Sequence, residues 1–214
     1  MKITVLSDTH TRHNQVSIPP GDILIFAGDM NNCRDEQDVA DFNSFLATLP
    51  HHHKVVIGGN HDHQLAQNPQ AAKALLPEAI YLQDELVVIG GLTIYGAPWQ
   101  PVFNDRACDA FALPRGRALE EKWAMIPPGI DILVTHSPPA GILDQDGPVA
   151  HGCCDLTAAV NVFRPKYHVF GHIHSNHGVV KNGATTYINC NVSGPDGKLR
   201  PALSFDYAPK AAGS

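Results

Sequence analysis

The chain has 214 residues, of which 43% are hydrophobic and 17% charged, and this composition predicts a folded domain with a sizeable core. Its formal net charge is -6 and it contains no basic block, which excludes an extended nucleic-acid surface. No apolar run approaches the roughly 18 residues of a membrane span, and the first apolar run is too short for a signal peptide. We therefore expect a cytoplasmic protein with no membrane partner.

The cysteines do not form a recognisable metal-binding or disulfide pattern. Their number is odd and their spacing irregular: Cys33, Cys108, Cys153, Cys154 and Cys190. Adjacent cysteines such as Cys153 and Cys154 do not make a zinc ribbon. We expect reduced thiols throughout.

Short apolar runs predict strands, several of them continuous enough to be buried on both faces. In chain order these runs are residues 2–6, 22–27, 54–57, 86–89, 92–95, 131–135, 167–170, 178–180, 185–189 and 202–206. Helical spacing of apolar residues predicts a helix over residues 36–49, and weaker patterns predict helices over 67–76, 117–125 and 156–163.

The order of these elements predicts an α/β fold. Strands that alternate with helices at the start indicate a mixed sheet covered by helices, and the later meander indicates a second, more antiparallel sheet packed behind it. The chain shows no repeat and no linker, so we expect one domain over residues 1–208, followed by a flexible tail over 209–214.

Side chains with metal-binding atoms directly follow five of the predicted strands. They are Asp8 and His10, Asp29, Asn60 with His61 and Asp62, His136, and His172 with His174. Each block alone is weak evidence, because Gly-Asp commonly forms turns and a single histidine commonly bonds within the fold. Because ligands bind outside the carboxyl ends of strands in α/β sheets, the five blocks together predict one site.

The residue types in these blocks favour a pair of divalent metal ions. Carboxylate, amide and imidazole ligands suit Mn, Fe, Co, Ni or Zn, and no cysteine is present in any block. Seven ligands exceed the four of a tetrahedral zinc site. Two divalent ions bring four positive charges, of which Asp8 and Asp29 cancel two, and the remaining surplus of two attracts phosphate.

The blocks, in this order, resemble the calcineurin-like metallophosphoesterase superfamily. Its pattern is Asp-x-His, Gly-Asp, Gly-Asn-His-Asp/Glu, His and Gly-His-x-His, which this chain matches over residues 8–174. Further segments, such as Ile-Tyr-Gly-Ala-Pro-Trp at 94–99 and Thr-His-Ser-Pro-Pro at 135–139, resemble the metallophosphoesterase-domain-containing, class III phosphodiesterase-like branch. The resemblance implies an αββα-type sandwich of two mixed sheets flanked by helices.

The resemblance also implies roles for individual residues. One metal ion would be held by Asp8, His10, Asp29 and His174, and the other by Asp29, Asn60, His136 and His172. Asp29 would bridge the two ions, for which Mn is favoured. A metal-bridging hydroxide would attack phosphorus, His61 would assist the leaving oxygen, and Asn60 would help to stabilise charge on the phosphoryl oxygens.

Two positions separate this chain from parts of that superfamily. Asn32 stands where protein phosphatases carry an Asp that supports the catalytic histidine, which argues against a protein phosphatase. It also leaves open what orients His61, with Asp62 as one alternative. Some members of the branch carry glycine at the position of His172, which weakens their second metal site, and this chain keeps the histidine.

The loop-rich region around residues 98–116 and the turn after His10 supply candidates for substrate binding. These are Arg12, Trp99, Phe103 and Asn104. The alternatives are that Trp99 and Phe103 fill the core under the loop and that Arg12 is an exposed charge on a turn.

The predicted function is hydrolysis of small phosphate esters, with phosphodiesters such as nucleotides or cyclic nucleotides favoured. One alternative is a phosphomonoesterase, and another is a nucleotide-binding or scaffold protein of the same fold with low turnover. A metallo-β-lactamase-type hydrolase is disfavoured, because Asn176 replaces the Asp of its His-x-His-x-Asp-His signature.

Overall fold

A computed structural model of the chain describes residues 1–32, 36–103 and 108–208. The predicted tail at 209–214 and the candidate substrate residue Asn104 lie outside the described residues.

The predicted elements are present in the fold, with ends that shift by a few residues. The strands are β1 (Lys2–Leu6), β2 (Ile23–Ala27), β3 (His53–Ile57), β4 (Ile80–Tyr81), β5 (Glu85–Ile89), β6 (Leu92–Ala97), β7 (Gln100–Pro101), β8 (Ala112–Leu113), β9 (Ile132–Thr135), β10 (Gln145–Asp146), β11 (Val149–Ala150), β12 (Tyr167–Phe170), β13 (Gly178–Asn182), β14 (Thr185–Asn189) and β15 (Leu203–Asp206). The helices are α1 (Glu36–Thr48), α2 (His63–Ala66), α3 (Pro69–Leu75), α4 (Arg117–Trp123) and α5 (Cys154–Phe163).

Two large sheets form the centre of the protein. The first has the strand order β15-β1-β2-β3-β4, in which β1 to β4 run parallel and β15 pairs antiparallel with β1. The second has the order β13-β14-β12-β9-β6-β5.

The second sheet is less antiparallel than the sequence predicts. Its four central strands, β14, β12, β9 and β6, are parallel, and only the edge strands β13 and β5 are antiparallel to their neighbours. The reason lies in the connections: α4 and α5 are crossovers that return the chain in the same direction, whereas the edge strands arise from hairpins.

Three apolar layers hold the sheets and helices together. Side chains such as Ile25, Val55 and Val134 fill the space between the two sheets. The outer face of the first sheet packs against α1 and α3, and the outer face of the second packs against α4 and α5. In β2, Ile25 faces the other sheet while its neighbour Phe26 faces the helices, which explains the unbroken apolar runs in the sequence. The predicted αββα-type sandwich is confirmed.

Two further predictions concern membrane-spanning segments and the oxidation state of the cysteines. Among the described residues, no helix combines the length and the apolar character that crossing a membrane would require, and the cytoplasmic location stays a prediction. Cys108 is disulfide-bonded, whereas Cys153, Cys154 and Cys190 are free. The expectation of reduced thiols throughout is therefore wrong, because sequence spacing does not show which distant cysteines meet in the fold.

Candidate metal centre

The five polar blocks lie at one edge of the sandwich, where the ends of β1, β2 and β3 meet the ends of β9 and β12. Direct hydrogen bonds join the two sheets at this edge. The His172 amide donates to both carboxylate oxygens of Asp8, at 3.1 and 3.0 Å. Nδ1 of His136 lies 2.8 Å from the carbonyl oxygen of Ala27. The site is therefore built across the interface between the sheets.

One group of potential metal ligands consists of Asp8, His10 and His174. Nε2 of His174 lies 3.5 Å from Oδ1 of Asp8 and 3.3 Å from Nε2 of His10. One carboxylate oxygen and two imidazole nitrogens thus face a common point, which fits one divalent ion.

A second group consists of Asp29, His136 and His172, and Asn60 lies among them. Oδ1 of Asn60 is 3.0 Å from Nε2 of His136 and 2.9 Å from Nδ1 of His172. Nε2 of His136 is also 3.3 Å from Oδ2 of Asp29, and a ring nitrogen of His172 lies within 4.8 Å of an Asp29 carboxylate oxygen. These four side chains fit a second ion.

Asp29 lies between the two groups. Its Oδ2 is 4.0 Å from Nε2 of His10 and 3.3 Å from Nε2 of His136. The carboxylate is 2% exposed and contacts ligand candidates from both sheets. This is the position that a bridging carboxylate needs.

Hydrogen bonds from the backbone fix the direction of the ligand rings. The Nδ1 atoms of His136 and His10 face the carbonyl oxygens of Ala27 and Asn31, at 2.8 and 3.3 Å. Each ring therefore presents Nε2 to the centre, as metal-binding histidines commonly do.

The charges at the centre are arranged to hold cations. Burial alone raises the pKa of Asp29, but the charge and hydrogen bond of His136 hold that pKa well below its usual value. Conversely, burial lowers the pKa of His136, but the charge and hydrogen bond of Asp29, with the Asp8 charge and the hydrogen bond to Ala27, together raise it more. Burial likewise lowers the pKa of His174, and its hydrogen bond to Asp8 together with the charges of Asp8 and Asp29 more than offsets this. Without metal the histidine protons serve as counter-charges, and bound metal would displace them.

The backbone is strained at four of the candidate ligands. Asp8, His10, Asp29 and His172 have positive φ angles of 58°, 45°, 59° and 68°. Residues other than glycine rarely adopt this conformation, and it costs about 1–2 kcal/mol for each residue. Such strain concentrates at functional sites, where the surrounding structure enforces it.

Two glycines in the motifs permit close approach of the backbone to these ligands. A side chain at Gly171 would overlap Oγ of Ser7 and Oδ2 of Asp8, and one at Gly59 would overlap Oδ1 of Asp29. The glycines directly before Asn60 and His172 are therefore required by the packing and not only by the turn.

Asp62 supports the loop that carries Asp29. Its Oδ2 accepts hydrogen bonds from the amides of Asp29 and Gly59, both at 2.8 Å, and its Oδ1 accepts one from Asn31 at 3.1 Å. The carboxyl is fully buried, and burial raises its pKa to about 8, with a further contribution from the Asp29 charge. Asp62 thus acts on the Asp29 backbone, and these bonds give no support to the alternative that it orients His61.

His61 is placed by Asp29 and His10. Its amide donates to Oδ1 of Asp29 at 2.9 Å, and its Nε2 lies 3.9 Å from Oδ2 of the same carboxylate. Its ring meets the ring of His10 edge to face, with 4.7 Å between centroids. The side chain is 28% exposed and burial lowers its pKa. The side-chain amide of Asn32, at the position where protein phosphatases carry an Asp, donates to the carbonyl oxygen of His10 at 3.4 Å.

A cavity of about 220 Å³ opens over the two groups. It is lined by Asp29, Asn60, His61, Asp146, His151, His172, Ile173, His174, Ser175 and Pro195. Sequence reasoning missed Asp146, His151, Ser175 and Pro195. The stretch around Asp146-Gly-Pro is typical of a turn, and nothing in its pattern links it to the ligand blocks.

The candidate substrate residues differ in where they lie. The ring of Phe103 stacks on His172 with 5.0 Å between centroids, so it lies beside the second group. Nε1 of Trp99 donates to Asp84 at 2.6 Å, and Nζ of Lys122 lies 3.9 Å from the centre of its ring. Trp99 is not among the residues that line the cavity, and its packing against the two helix-side apolar layers favours the alternative that it fills the core.

Arg12 has a role that neither alternative included. Its guanidinium donates to the carbonyl oxygen of Gly197 at 2.9 Å and to Oγ of Ser193 at 2.7 Å. The Ser193 hydroxyl in turn donates to the carbonyl oxygen of Asp8 at 2.6 Å. Arg12 and Ser193 therefore link the Asp8 loop, through hydrogen bonds, to the segment that follows β14.

Known proteins share this sequence and fold. Residues 1–176 match the family described as calcineurin-like phosphoesterase. Metallophosphoesterase domain-containing protein 1 of Homo sapiens is 40% identical over 217 residues, covering 89% of this chain and 66% of the human protein. A UPF0046 protein of Caenorhabditis elegans is 38% identical over 226 residues, covering 98% of this chain and 76% of that protein. The chain thus spans just under two thirds of the human relative.

A solved structure supports the fold independently of close sequence similarity. The Thermus thermophilus protein TT1561 superposes with a TM-score of 0.59 and 14% identity, covering 90% of this chain and 88% of that chain. The human relative confirms the resemblance to the metallophosphoesterase-domain-containing branch. With a family match over residues 1–176, the chain belongs to the calcineurin-like phosphoesterase family.

Proposed function

We propose that the protein is a metal-dependent phosphoester hydrolase with two divalent metal ions, for which Mn is favoured. Asp8, His10, Asp29 and His174 would hold one ion, and Asp29, Asn60, His136 and His172 the other. The observation that carries the proposal is the pair of ligand groups that share Asp29 under one open cavity. When bound, such ions act as Lewis acids that activate water and polarise phosphoryl oxygens.

His61 is assigned the transfer of a proton to the leaving oxygen. It lines the cavity, its side chain is partly exposed, and Asp29 fixes its backbone. Histidine is the side chain used most often to transfer a proton to or from a reacting group, and such a group commonly contributes about 10²–10⁴-fold to the rate.

Asn60 is assigned two functions. Its Nδ2 donates to the carbonyl oxygen of Cys108 at 3.2 Å, which turns Oδ1 towards His136 and His172. This orientation supports metal binding through Oδ1. The second N–H of the amide is assigned to a phosphoryl oxygen, where it would stabilise developing charge.

The favoured substrates are small phosphodiesters, such as nucleotides or cyclic nucleotides. Support comes from the phosphodiesterase-like branch that the sequence resembles and from the cavity wall. Along that wall, the part of the chain that the structure describes supplies no lysine or arginine to pair with the second charge of a monoester. A phosphomonoesterase and a low-turnover nucleotide-binding protein are the competing functions. The presence of both His61 and His172 favours turnover.

The test is hydrolysis of bis(p-nitrophenyl) phosphate and p-nitrophenyl phosphate by protein loaded with Mn, with metal content measured in parallel. We expect two ions per chain, hydrolysis that depends on metal, and a higher kcat/KM for the diester. His61→Ala should keep both ions and lose about 10²–10⁴-fold in kcat. Two bound ions without hydrolysis of either ester would support the binding-protein alternative, and loss of ions from His61→Ala would overturn the role of His61.

A further inference from the structure

A short hairpin extends over the metal centre from the loop that follows β9. It consists of β10 and β11, paired antiparallel and joined at Gly147 and Pro148, with Gly147 at a φ of 57°. Its base is fixed by the buried Asp144, whose Oδ2 accepts hydrogen bonds from the amides of Gly141 at 2.9 Å and Gly152 at 3.3 Å. The hairpin therefore has a defined position relative to the strand end that carries His136.

The hairpin is also bonded to the turn that carries His174. The hydroxyl of Ser175 donates to Oδ1 of Asp146 at 2.6 Å. The side-chain amide of Asn176 donates to the carbonyl oxygen of Gln145. The carboxylate of Asp146 is thus held one residue away from a candidate metal ligand, although the side chain itself is exposed.

Asp146 brings a negative charge to the cavity that no candidate metal ligand requires. It lines the same cavity as His61 and lies outside both ligand groups. Its hydrogen bond comes from a neutral hydroxyl, so the carboxylate charge is not cancelled there. Among the described lining residues no lysine or arginine offsets it.

A carboxylate at this place acts differently on the two classes of phosphate ester. A phosphodiester carries one negative charge, whereas a monoester carries nearly two above its second pKa of about 6. Coulomb repulsion scales with the charge of the substrate, so Asp146 opposes a monoester about twice as strongly. We propose that Asp146 is a specificity-determining residue that selects monoanionic phosphodiesters over dianionic phosphomonoesters. This inference rests on the proposed function and adds the substrate's charge as the property that is recognised.

The test compares Asp146→Asn with a matched loss of charge elsewhere. Asparagine keeps the shape and the acceptor for Ser175 but removes the charge. Asp206→Asn removes one exposed charge at the opposite end of the first sheet. There, Asp206 of β15 lies opposite Lys2 of β1 in the strand register. The ratio of kcat/KM for bis(p-nitrophenyl) phosphate to that for p-nitrophenyl phosphate is measured at pH 8 in all three proteins.

We expect the ratio to fall about three- to tenfold in Asp146→Asn, mainly through a lower KM for the monoester, and to stay within about twofold in Asp206→Asn. The difference should shrink at 1 M salt, where the screening length is about 3 Å. Calorimetric binding of inorganic phosphate to the Mn-loaded protein gives a readout without turnover. Its Kd should fall about three- to tenfold in Asp146→Asn only.

The outcomes separate this inference from the function on which it rests. If the wild type hydrolyses neither ester, the proposed function fails, and phosphate binding still decides the role of Asp146. If the wild type is active and both variants show the same ester ratio and the same phosphate affinity, the inference about Asp146 is overturned.

Discussion

The two sheets contribute different chemistry to the same centre. The first sheet supplies mainly oxygen ligands, from Asp8, Asp29 and Asn60 with His10, and the second supplies only imidazoles, from His136, His172 and His174. The carboxylates therefore lie on one wall, and the two imidazoles whose pKa is raised, His136 and His174, lie on the other. Bound cations would link the two sheets, because each ion would take ligands from both.

Asp29, the carboxylate that faces both ligand groups, gives the most severe test of this division of ligands between the two sheets. Asp29→Asn should release both ions and reduce turnover by more than the roughly 10²–10⁴-fold expected for His61. The amide keeps the size of the side chain but not the charge that balances two cations. Metal analysis with kcat/KM for the diester checks this, with Asp206→Asn as the control. Two ions retained by Asp29→Asn would show that the first sheet's charge is not what holds them.

Metal removal tests whether the folded protein binds the ions selectively. At a free Mn concentration of about 1,000 times Kd, each bound site stabilises the fold by about 4 kcal/mol. For a chain of this length, 1 kcal/mol shifts Tm by about 2–4 °C. We therefore expect Tm to rise by at least about 8 °C per filled site between chelator-treated and Mn-loaded protein. Equal Tm values with two ions bound would show that the ions do not favour the folded state over the unfolded chain.

The second sheet holds another fully buried histidine whose behaviour is the reverse of that of His136. Nε2 of His168 lies 2.9 Å from Oγ1 of Thr135, and burial, with no opposing charge among the described residues to offset it, lowers the pKa of His168 to about 3. The unfolded chain, with a pKa near 6.5, binds more protons between pH 6.5 and 3. Stability from His168 is therefore present above pH 6.5 and is lost as pH falls, by about 1.4 kcal/mol per unit.

The variant His168→Gln isolates this contribution, because glutamine keeps a donor for Thr135 but does not titrate. Denaturant unfolding of metal-free protein at several pH values between 7 and 5 gives the comparison. The wild type should lose more free energy of unfolding than the variant as pH falls. Parallel curves for the two proteins would show that His168 titrates normally in the fold.

The smallest expected effect concerns Arg12, whose hydrogen bonds support the loop that carries Asp8. Arg12→Met should lower the free energy of unfolding by about 1 kcal/mol, because it removes the hydrogen bonds to Ser193 and Gly197. It should leave KM for the diester nearly unchanged, since the guanidinium is bonded to protein groups. A large rise in KM with unchanged stability would instead favour the substrate-binding prediction made from the sequence.

The candidate ligands were predictable because each follows a buried strand within a few residues. The first sheet was predictable for the same reason, since its apolar runs are continuous. The hairpin that carries Asp146 was not, because strands of two residues have no measurable periodicity. The bonds of Arg12 to Ser193 and Gly197 join positions more than 180 apart in the chain, and no local pattern encodes such a pair.

The left-handed backbone of His172 has a consequence for how such centres change over evolutionary time. At a φ of 68°, glycine is the one residue that relieves the backbone strain. The gain of about 1–2 kcal/mol offsets the cost of glycine's greater conformational freedom in the unfolded chain. Replacement of His172 by glycine therefore recovers part of the stability that is lost with the imidazole, which stacks on Phe103 and faces Asn60, while it removes a candidate ligand of the second ion. Glycine, which the family resemblance places at this position in some members of the branch, is therefore the replacement that the backbone itself tolerates best.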